Sequence, residues 1–323
     1  MRRDSTIAGV FLAALGIALA FAPGLRINRV PGVAAVLPAR DALTAAGAVF
    51  LLMAVALSFW RAPRPAAVPV GAGLLVALAA CAPAMITRGL RDPAPARAAA
   101  GQLRVLEWNT NGGLVSPAVL AALAVREKAN MIVLPDARIG VAAAAYRRDF
   151  ASAGLPVAVF AAVGPDAQAA VLMTASLAAR YRVAGTGPDP RKTLVLDAAA
   201  PGLPRVVALH APLPGRHSTA AWRATLRWVA AECARRPVLA IGDFNASVDN
   251  FGGDSLGACR DAAITRHAGS VGTWPAILPA ALAMPIDHAL TTPDAGTVES
   301  FTVLTSEDSS GARHRPTLTV VRG

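Results

Sequence analysis

A short segment in the second half of the chain combines residue types that phosphate chemistry uses. It reads Gly242-Asp243-Phe244-Asn245 and follows the apolar run Val238–Ile241, which has the length of a buried strand. The pattern predicts that the strand ends at Gly242, where the backbone turns freely, and that Asp243 and Asn245 then point the same way, with Phe244 opposite. A carboxylate beside an amide suits a site that holds a hard cation or a water molecule and also contacts a phosphate oxygen. Gly, Asp and Asn are also common in ordinary turns, so this motif needs support from elsewhere.

Other strand-like segments of the chain also end in polar side chains. The polar residues are Asn109 after Leu103–Trp108, Asp136 after Met131–Leu134, His210 after Arg205–Leu209, Asp287 and His288 after Ile286, and Arg313 and His314 ahead of Leu318–Val321. Core packing does not account for carboxylate, amide and imidazole groups at so many strand ends. We therefore predict that one cleft at the edge of a sheet brings together Asp243, Asn245, Asn109, Asp136, His210, Asp287 and His314.

The elements that would position these residues alternate in type from Leu103 onward, which predicts an α/β domain. Helices are predicted from about Pro117 to Lys128, with Ser116 as N-cap, and from about Ser218 to Arg235, and further strands near 157–160, 169–174 and 193–197. In the second helix Trp222, Leu226 and Val229 recur on one face, so its tryptophans are predicted to be core residues.

Three apolar, almost uncharged segments precede this domain, at residues 7–22, 43–60 and 66–86. Each is close to the roughly 20 residues that cross a bilayer as a helix. They predict a transmembrane anchor of three helices, and they account for an apolar fraction of 54% in the whole chain. The Ala-Phe-Ala sequence at 20–22 leaves open that the first segment is instead a signal peptide.

The chain thus divides into an anchor over residues 1–87, a linker rich in Pro, Ala and Arg over 88–101, and a soluble domain over 102–323. The net charge of +11 is unevenly distributed. Residues 1–100 carry 10 Arg and 3 Asp, a net charge of +7, whereas residues 101–323 carry 21 Lys and Arg against 17 acidic residues, a net charge of +4. Most of the basic charge therefore flanks the membrane segments, where it contacts lipid headgroups.

The number of spans determines on which side of the membrane the soluble domain would lie. Three spans that begin in the cytoplasm place the soluble domain outside it, so we predict a multi-pass cell-membrane protein with an extracytoplasmic domain. The arginines oppose this orientation, because Arg26, Arg29, Arg40, Arg88, Arg91 and Arg97 would then lie outside and only Arg2, Arg3, Arg61 and Arg64 inside. The sequence gives no indication of an obligate protein partner.

The three cysteines imply no disulfide framework. Cys81 lies in the third apolar segment and is predicted to pack there. Cys233 and Cys259 either form a disulfide in an oxidising compartment or remain free thiols.

These motifs resemble those of the endonuclease/exonuclease/phosphatase superfamily, the fold shared by DNase I-like nucleases, sphingomyelinases and inositol-polyphosphate 5-phosphatases. The resemblance covers residues 103–321 and implies a four-layer α/β sandwich, with two mixed β-sheets flanked by helices. The anchor and the sequence His210-Ala-Pro also resemble the membrane-bound bacterial branch that includes the VanJ-type glycopeptide-resistance proteins. That similarity implies a lipid or isoprenoid phosphate as substrate.

The resemblance also implies a role for each matching residue. Asn109 and Asp136 would hold a divalent metal ion, Mg²⁺ or Mn²⁺; His210, Asn245 and Asn109 would bind phosphoryl oxygens; Asp243 would orient or activate the attacking water; and His314, paired with Asp287, would stabilise developing charge or move a proton. Hydrolysis of a phosphate ester needs these groups on general grounds, namely a cation, hydrogen-bond donors on the phosphoryl oxygens and an acceptor for the proton of water.

Two positions depart from the pattern of the family. Pro135-Asp136 stands where Gln-Glu is usual, which shortens the metal-binding carboxylate by one methylene. Ala312-Arg313-His314 stands where Ser-Asp-His is usual, so that a cation replaces a carboxylate. Arg313 either binds a phosphate of the substrate or marks a weakened enzyme.

The predicted function is therefore metal-dependent hydrolysis of a phosphoester or pyrophosphate at the membrane surface. The alternatives are a surface nuclease, which the small net charge of the soluble domain does not favour, and a degenerate binding module. Trp274 either lines the site or packs beside it, His288 is predicted to pack beside it, and His217 and His267 are predicted to be solvated.

Overall fold

A computed structural model of the protein describes residues 2–61, 63–235, 237–253 and 255–323. The helices are α1 Arg2–Ala20, α2 Val33–Val36, α3 Arg40–Ser58, α4 Arg64–Arg88, α5 Pro117–Arg126, α6 Ile139–Ser152, α7 Ala175–Ala178, α8 Thr219–Glu232, α9 Val248–Phe251 and α10 Ala262–Thr265. The strands are β1 Gln102–Glu107, β2 Met131–Leu134, β3 Val157–Ala161, β4 Ala170–Thr174, β5 Tyr181–Gly185, β6 Thr193–Ala198, β7 Arg205–His210, β8 Val238–Asp243, β9 Ser255–Leu256, β10 Cys259–Asp261, β11 Asp287–Thr291, β12 Thr297–Val303 and β13 Thr317–Arg322. Short 3₁₀ helices lie at Leu37–Ala39, Ala280–Leu282, Pro293–Ala295 and Thr305–Glu307.

The strands form two sheets, and both are mixed. The six-stranded sheet has the order β12-β13-β1-β2-β4-β3, and the seven-stranded sheet has the order β5-β6-β7-β8-β11-β10-β9. Each contains one parallel pair, β1 with β2 and β7 with β8, beside antiparallel neighbours. The parallel pairs bring the carboxyl ends of these four strands to one edge of the molecule, as the site prediction requires.

The two sheets pack face to face with helices outside. Apolar side chains from both sheets, among them Val105 and Ile241, form a buried cluster between them. A second cluster packs the six-stranded sheet against α5 and α6, and a third packs the seven-stranded sheet against α8. These layers confirm the predicted four-layer α/β sandwich.

Most predicted elements are present, with small shifts at their ends. Ser116 caps α5, because its Oγ accepts a hydrogen bond from Val119 N at 3.3 Å. Trp222 is fully buried on α8, as predicted, and Trp228 packs partly buried against the same core. Helix α6 and strand β5 were not predicted from the sequence.

Three N-terminal helices, α1, α3 and α4, are long and apolar enough to cross a membrane. They match the three predicted spans. Glycines allow α1 and α4 to pack closely, since a Cβ atom on Gly73 would lie 2.0 Å from the carbonyl oxygen of Gly9. Close approach at small residues is the usual basis of helix packing in bilayers, which supports a bundle of three helices.

The segment that joins the first two long apolar helices contacts the soluble domain. The connecting segment, residues 21–39 between α1 and α3, inserts Ala34 into the core cluster that contains Trp222 and Phe244. Asn28 and Arg29 donate hydrogen bonds to the carbonyl oxygens of residues 249–251, at 2.9 to 3.2 Å. These contacts were not predicted from the sequence.

A buried ion cluster joins the two parts at the ends of the membrane helices. Arg40 begins α3 and Arg88 ends α4, and both contact the carboxylate of Asp249 on α9. The distances are 2.8 Å from Arg40 Nη1 to Oδ1 and 2.9 Å from Arg88 Nη1 to Oδ2. Asp249 and Arg40 are each only 2% exposed, so the ion pair is shielded from water. The start of α3 and the end of α4 are therefore tied to the soluble domain.

Residues 89–100 have no regular secondary structure, but they follow the surface of the domain closely. Asp92 Oδ1 accepts a hydrogen bond from Val303 N at 2.8 Å, and Thr302 Oγ1 donates to Pro93 O at 2.7 Å. Ala96 N donates to Ser300 Oγ at 2.9 Å. These contacts align the segment with β12 and limit how far the domain moves from its anchor.

Cys233 and Cys259 form a disulfide that links the end of α8 to β10. Of the two predicted alternatives, a disulfide or two free thiols, the structure therefore shows the disulfide. Cys81 is buried in the helical bundle as a free thiol, as predicted.

Candidate active site

The Gly-Asp-x-Asn motif has a different local geometry from the one that the sequence predicted. Strand β8 continues through Gly242 to Asp243, so the chain does not turn at the glycine. Gly242 has φ 142°, and a Cβ atom there would lie 2.0 Å from Leu209 O on β7. Glycine is required by this close approach of two strands. The turn comes at Asn245, whose φ of 45° is left-handed.

The predicted site residues nevertheless converge. A cavity of about 260 Å³ lies at the edge of the sheets where β1, β2, β7 and β8 end. Its lining includes residues from distant parts of the chain, namely Asn109, Asp136, His210, Asp243, Asn245, Arg313 and His314. Asp287 lies behind His314 and completes the predicted set.

Asp243 is held by two hydrogen-bond donors at the centre of the site. Asn109 Nδ2 donates to Asp243 Oδ2 at 2.9 Å, and Asn245 N donates to Oδ1 at 2.8 Å. The Asn109 side chain is itself oriented, since its Oδ1 accepts from Asn111 N at 2.8 Å. Asp243 is 1% exposed, so its orientation is fixed by the protein rather than by solvent.

Asp287 and His314 form a second pair beside Asp243. The antiparallel register places Asp287 on β11 directly opposite Asp243 on β8. Asp287 Oδ2 accepts a hydrogen bond from His314 Nδ1 at 2.9 Å, and Trp108 Nε1 donates to His314 O at 2.9 Å. Burial alone disfavours a charged ring, but the carboxylate of Asp287 raises the pKa of His314 to about 9. His314 is therefore an imidazolium at neutral pH, with Nε2 free to donate.

Glu107, which the sequence analysis did not single out, lies buried beneath these groups. Its Oε2 accepts from Thr317 Oγ1 at 3.1 Å, and burial followed by the charges of Asp287 and Asp243 raises its pKa well above the usual value. Burial, and then the charge of Asp287, also raises the pKa of Asp243 to about 7. A carboxyl group with that pKa is suited to accept a proton near neutral pH.

His210 approaches Asp243 from β7 and is neutral. Its Nε2 lies 3.7 Å from Asp243 Oδ2. Burial, and then the positive charge of Lys192, lowers the pKa of His210 to about 3. A neutral imidazole in this position can donate one hydrogen bond to a phosphoryl oxygen without adding charge.

Asp136 and Arg313 line the cavity nearer its mouth. Burial raises the pKa of Asp136, although Lys192 and Arg138 oppose this. Arg313 is exposed, and its side chain makes no hydrogen bond or ion pair with any residue that the structure describes. It is therefore available to a ligand.

Several other residues lie where they were expected or add to the site. Trp274 lines the cavity and lies with its ring centroid 6.4 Å from that of His314. His288 packs outside the cavity, with Nδ1 2.5 Å from Asp261 Oδ2 and Nε2 2.8 Å from Ala246 O. His217 and His267 are exposed. Ala35 and Pro38 of the connecting segment also line the cavity, and no chemical signal in the sequence marks them.

The donor set fits a divalent cation. Glu107 Oε1 and Asp287 Oδ1 are buried and have no hydrogen-bond partner among the described residues. Atoms of Asp243, Asp287 and His314 that could bind a metal all lie within 4.8 Å of one another. Because His314 is cationic, it is suited to donate a hydrogen bond rather than to bind a metal, so the fit rests on the two carboxylate oxygens of Glu107 and Asp287. The predicted ligands Asp136 and Asn109 remain a prediction.

In the absence of divalent cations, the free energy of unfolding is expected to fall as pH rises from about 6 to about 9. The folded-state pKa of Asp243, about 7, lies above its usual value of 3.8, so its proton stabilises the fold at low pH and this stability is lost through pH 7. His314, with a pKa of about 9 against 6.5, loses its contribution as pH rises through 9. Mg²⁺ or Mn²⁺ should therefore raise the thermal midpoint more at about pH 8 than at about pH 6. At 100 times Kd the ion stabilises the folded state by up to about 2.7 kcal/mol.

The measurement is the tryptophan-fluorescence melting curve of the full chain in detergent, with and without chelator. KCl at equal ionic strength is the control for screening. A midpoint that does not respond to either divalent ion at any pH would contradict the assignment of a cation to this site.

Comparison with known proteins identifies the family of the soluble domain. A sequence profile of the Endonuclease/Exonuclease/phosphatase family matches residues 106–314. No curated protein matches the chain significantly. Among solved structures, an endonuclease/exonuclease/phosphatase from Beutenbergia cavernae is similar, with 18% identity, a TM-score of 0.51, and coverage of 68% of this chain and 71% of that one.

Two further structures give the same result. A humanized TDP2 of D. rerio has 14% identity and a TM-score of 0.53, and the match covers 69% of this chain and 100% of that one. An endonuclease/exonuclease/phosphatase from Bacteroides vulgatus has 14% identity and a TM-score of 0.52, with coverage of 68% and 98%. At these identities the structures support the fold alone.

Proposed function

Because this chain belongs to the endonuclease/exonuclease/phosphatase family, we propose that it is a membrane-anchored, metal-dependent hydrolase of a phosphoester or pyrophosphate carried by a lipid or isoprenoid. The domain has the phosphoesterase and nuclease fold of that family. The proposal extends this to an activity, a cofactor and a substrate class.

A single observation carries the proposal. Asp243, held by Asn109 and Asn245, lies in one cavity with the Asp287–His314 pair and with His210. The site thus offers one base, one charged donor and neutral donors around a space of about 260 Å³. In-line hydrolysis of a phosphate ester needs this combination.

The protonation state and hydrogen bonds of each group support a particular role in hydrolysis. Asp243, with a pKa of about 7, accepts the proton of the attacking water. His210 and Asn245 donate hydrogen bonds to the phosphoryl oxygens. His314, with a pKa of about 9, stabilises the negative charge that develops on the phosphate and leaving oxygens, and Asp287 keeps it protonated and oriented. A divalent cation, when bound, supplies positive charge to the phosphoryl group.

The anchor supports a substrate that resides in the membrane. Three helices long enough to span a bilayer hold the cavity next to the lipid phase, which raises the effective concentration of an amphiphile and restricts how it approaches. The membrane-bound bacterial branch with VanJ-type proteins, which the sequence resembles, would act on this class. A nuclease has less support, because the soluble domain has a net charge of only +4.

We assign the domain to the extracytoplasmic side on two observations. The Cys233–Cys259 disulfide is typical of an oxidising compartment. Of the arginines on the domain side, Arg40 and Arg88 are paired with Asp249, and Arg29 is hydrogen-bonded to backbone carbonyls. These three are engaged by protein, which weakens the arginine count against this orientation.

The test is a phosphate-release assay on the purified full-length protein with Mg²⁺ or Mn²⁺. A lipid pyrophosphate, a soluble phosphodiester and double-stranded DNA are offered side by side, and the Asp243→Asn variant is the control. We expect the lipid pyrophosphate to give the highest kcat/KM. Faster cleavage of DNA would replace the proposal by the nuclease, and no release from any substrate would favour the binding module.

Substitution of Arg313 by aspartate distinguishes an adapted enzyme from a degenerate one. Arg313 lines the cavity without a partner among the described residues, so we expect it to bind a phosphate oxygen of the substrate. The variant R313D should then raise KM for an anionic substrate by roughly 10-fold, because an attraction becomes a repulsion.

The matched control is Arg147→Asp, an exposed arginine on α6 that does not line the cavity. If R313D is instead the faster enzyme and needs less metal, then Arg313 replaces a missing metal ligand and the degenerate interpretation holds.

A further inference from the structure

The membrane side of the catalytic cavity is built by two segments that have no role in the chemistry. One is the connecting segment, which contributes Ala35 and Pro38 to the wall. The other we call the rim loop, residues 274–283, which contributes Trp274. Together they form part of the wall on that side.

The rim loop lies at the level where the membrane helices end. Its 3₁₀ turn, Ala280–Leu282, packs against α3. The residues just before it contact α4, since Ser270 Oγ donates to Met85 O at 3.3 Å and Gly269 N donates to Arg88 O at 3.0 Å. If α3 and α4 are in a bilayer, the rim loop lies at its surface.

The rim loop presents large apolar side chains in a fixed conformation. Ile277 is 90% exposed and Leu278 is 41% exposed, and no described part of the chain covers them. The loop is held from below by Arg315, which is 1% exposed and whose Nη2 donates to Ala276 O at 2.8 Å and to Leu278 O at 2.5 Å. A buried arginine thus satisfies the backbone while the apolar side chains point away from the domain.

The surface next to the rim loop also exposes apolar side chains. Leu213, 67% exposed, lines the cavity, and Val36 of the connecting segment is 41% exposed. Arg313 lies beside the rim loop, because its carbonyl oxygen accepts a hydrogen bond from Ala276 N at 2.8 Å. Apolar side chains next to a cation are complementary to the boundary between acyl chains and anionic headgroups.

We propose that the rim loop is immersed in the interfacial region of the bilayer that holds α3 and α4, so that the cavity opens at the level of the lipid headgroups. Ile277 and Leu278 contact acyl chains, and Arg313 faces phosphate. The ligand that this geometry admits is the phosphate group of a single membrane-resident amphiphile. That last step rests on the proposed function, whereas the immersion of the rim loop does not.

Immersion is tested with a solvent-sensitive fluorophore at Ile277→Cys, in the full chain reconstituted into nanodiscs of phosphatidylcholine and phosphatidylglycerol. The wild-type chain gives the labelling background, because Cys81 is buried and the other two cysteines are disulfide-bonded. Val125→Cys is the matched control. Val125 is 42% exposed near the end of α5, where Glu127 contacts the start of β1, away from the cavity.

We expect the probe at 277 to emit at shorter wavelength than the probe at 125, to be quenched by doxyl groups on lipid acyl chains and to be protected from iodide. Equal quenching of the two probes by iodide would overturn the proposal, whatever the activity of the protein.

A second arm links immersion to the substrate. Ile277→Ser should lower kcat/KM for a lipid pyrophosphate in vesicles by roughly 10-fold, with the value for a soluble phosphodiester within about 2-fold of wild type. Equal losses on both substrates would show that the rim loop does not act through the membrane. If wild-type protein hydrolyses neither substrate, the proposed function fails, and the labelling still decides the position of the rim loop.

Discussion

Replacing Asp243 by asparagine is expected to lower phosphate release by about 10²–10⁴-fold, the usual loss when a group that positions or deprotonates a nucleophile is removed. An amide cannot accept the proton of water, whereas the Asp243 carboxyl, with a pKa of about 7, is ready to do so at neutral pH. The change should appear mainly in kcat, because His210, Asn245 and Arg313 still bind the phosphate.

The fold of this variant should survive. The new amide side chain keeps one of the two hydrogen bonds, from Asn109 or from Asn245, and the substitution removes a negative charge from a cluster that includes Asp287 and Glu107. The lost hydrogen bond costs about 1 kcal/mol, and relief of the buried repulsion offsets it. We therefore expect a thermal midpoint no lower than that of the wild-type protein without metal.

Asp166→Asn is the matched control, since it makes the same chemical change at an exposed position outside the cavity. It should leave turnover unchanged. Phosphate release by the Asp243→Asn variant at the wild-type rate would show that the activity arises elsewhere in the protein or from a contaminant.

The convergence of the site could be predicted from the sequence, because it depends on a general property of sheets. Polar residues that follow parallel strands meet at one edge, so Asn109 and Asp243 were expected to lie together without knowledge of the loops. The local conformation was less predictable. Gly242 was interpreted as a turn residue, but the constraint on it comes from Leu209 on the neighbouring strand.

Two elements that the sequence analysis missed did carry a signal. Glu107 and Asn109 are two residues apart, so alternation in an extended chain places both side chains toward the same face and would have added Glu107 to the site. Ile139, Tyr146 and Phe150 are buried on α6 at spacings of seven and four, which is a helical pattern. Their wide spacing among alanines concealed it.

The part played by the anchor could not have been predicted. Ala35 and Pro38 carry no chemistry, and their place in the wall of the cavity depends on how the connecting segment docks against α9. That docking involves Asp249, which lies in a stretch that reads as a loop. No basic residue near it in the sequence indicates that it forms an ion pair. Only tertiary structure brings Arg40 and Arg88 to it.

The same cluster gives the largest expected change in stability. Asp249→Ala should destabilise the docked state by about 3–5 kcal/mol, because removing one partner of a buried ion pair leaves the other charge uncompensated. Among the described residues, Arg40 would then retain Asp41 as its one acidic partner, with Oδ1 3.7 Å from Arg40 Nε. The measurement is the denaturant midpoint of the full chain in detergent, together with protease cleavage within residues 21–39, which should become faster.

The control is Glu307→Ala, which removes an ion pair with Arg126 whose arginine side chain is 53% exposed. Exposed pairs contribute about 0–1 kcal/mol, so this variant should melt close to wild type. A similar small effect for Asp249→Ala would mean that the anchor is held by its backbone contacts and apolar packing alone.

A double variant decides whether the charge itself matters. If Arg40 and Asp249 stabilise each other, then Arg40→Ala combined with Asp249→Ala should cost less than the sum of the two single changes, by about 0.5–3 kcal/mol. The double variant removes the two most deeply buried charges of the cluster and leaves Arg88, so the penalty for an uncompensated ion becomes smaller. Since the connecting segment forms one wall of the cavity, its release in the single variant should also lower kcat/KM while Asp243, Asn109 and His314 stay in place. Recovery of kcat/KM in the double variant would show that docking of the anchor, rather than Asp249 as such, keeps the active site complete.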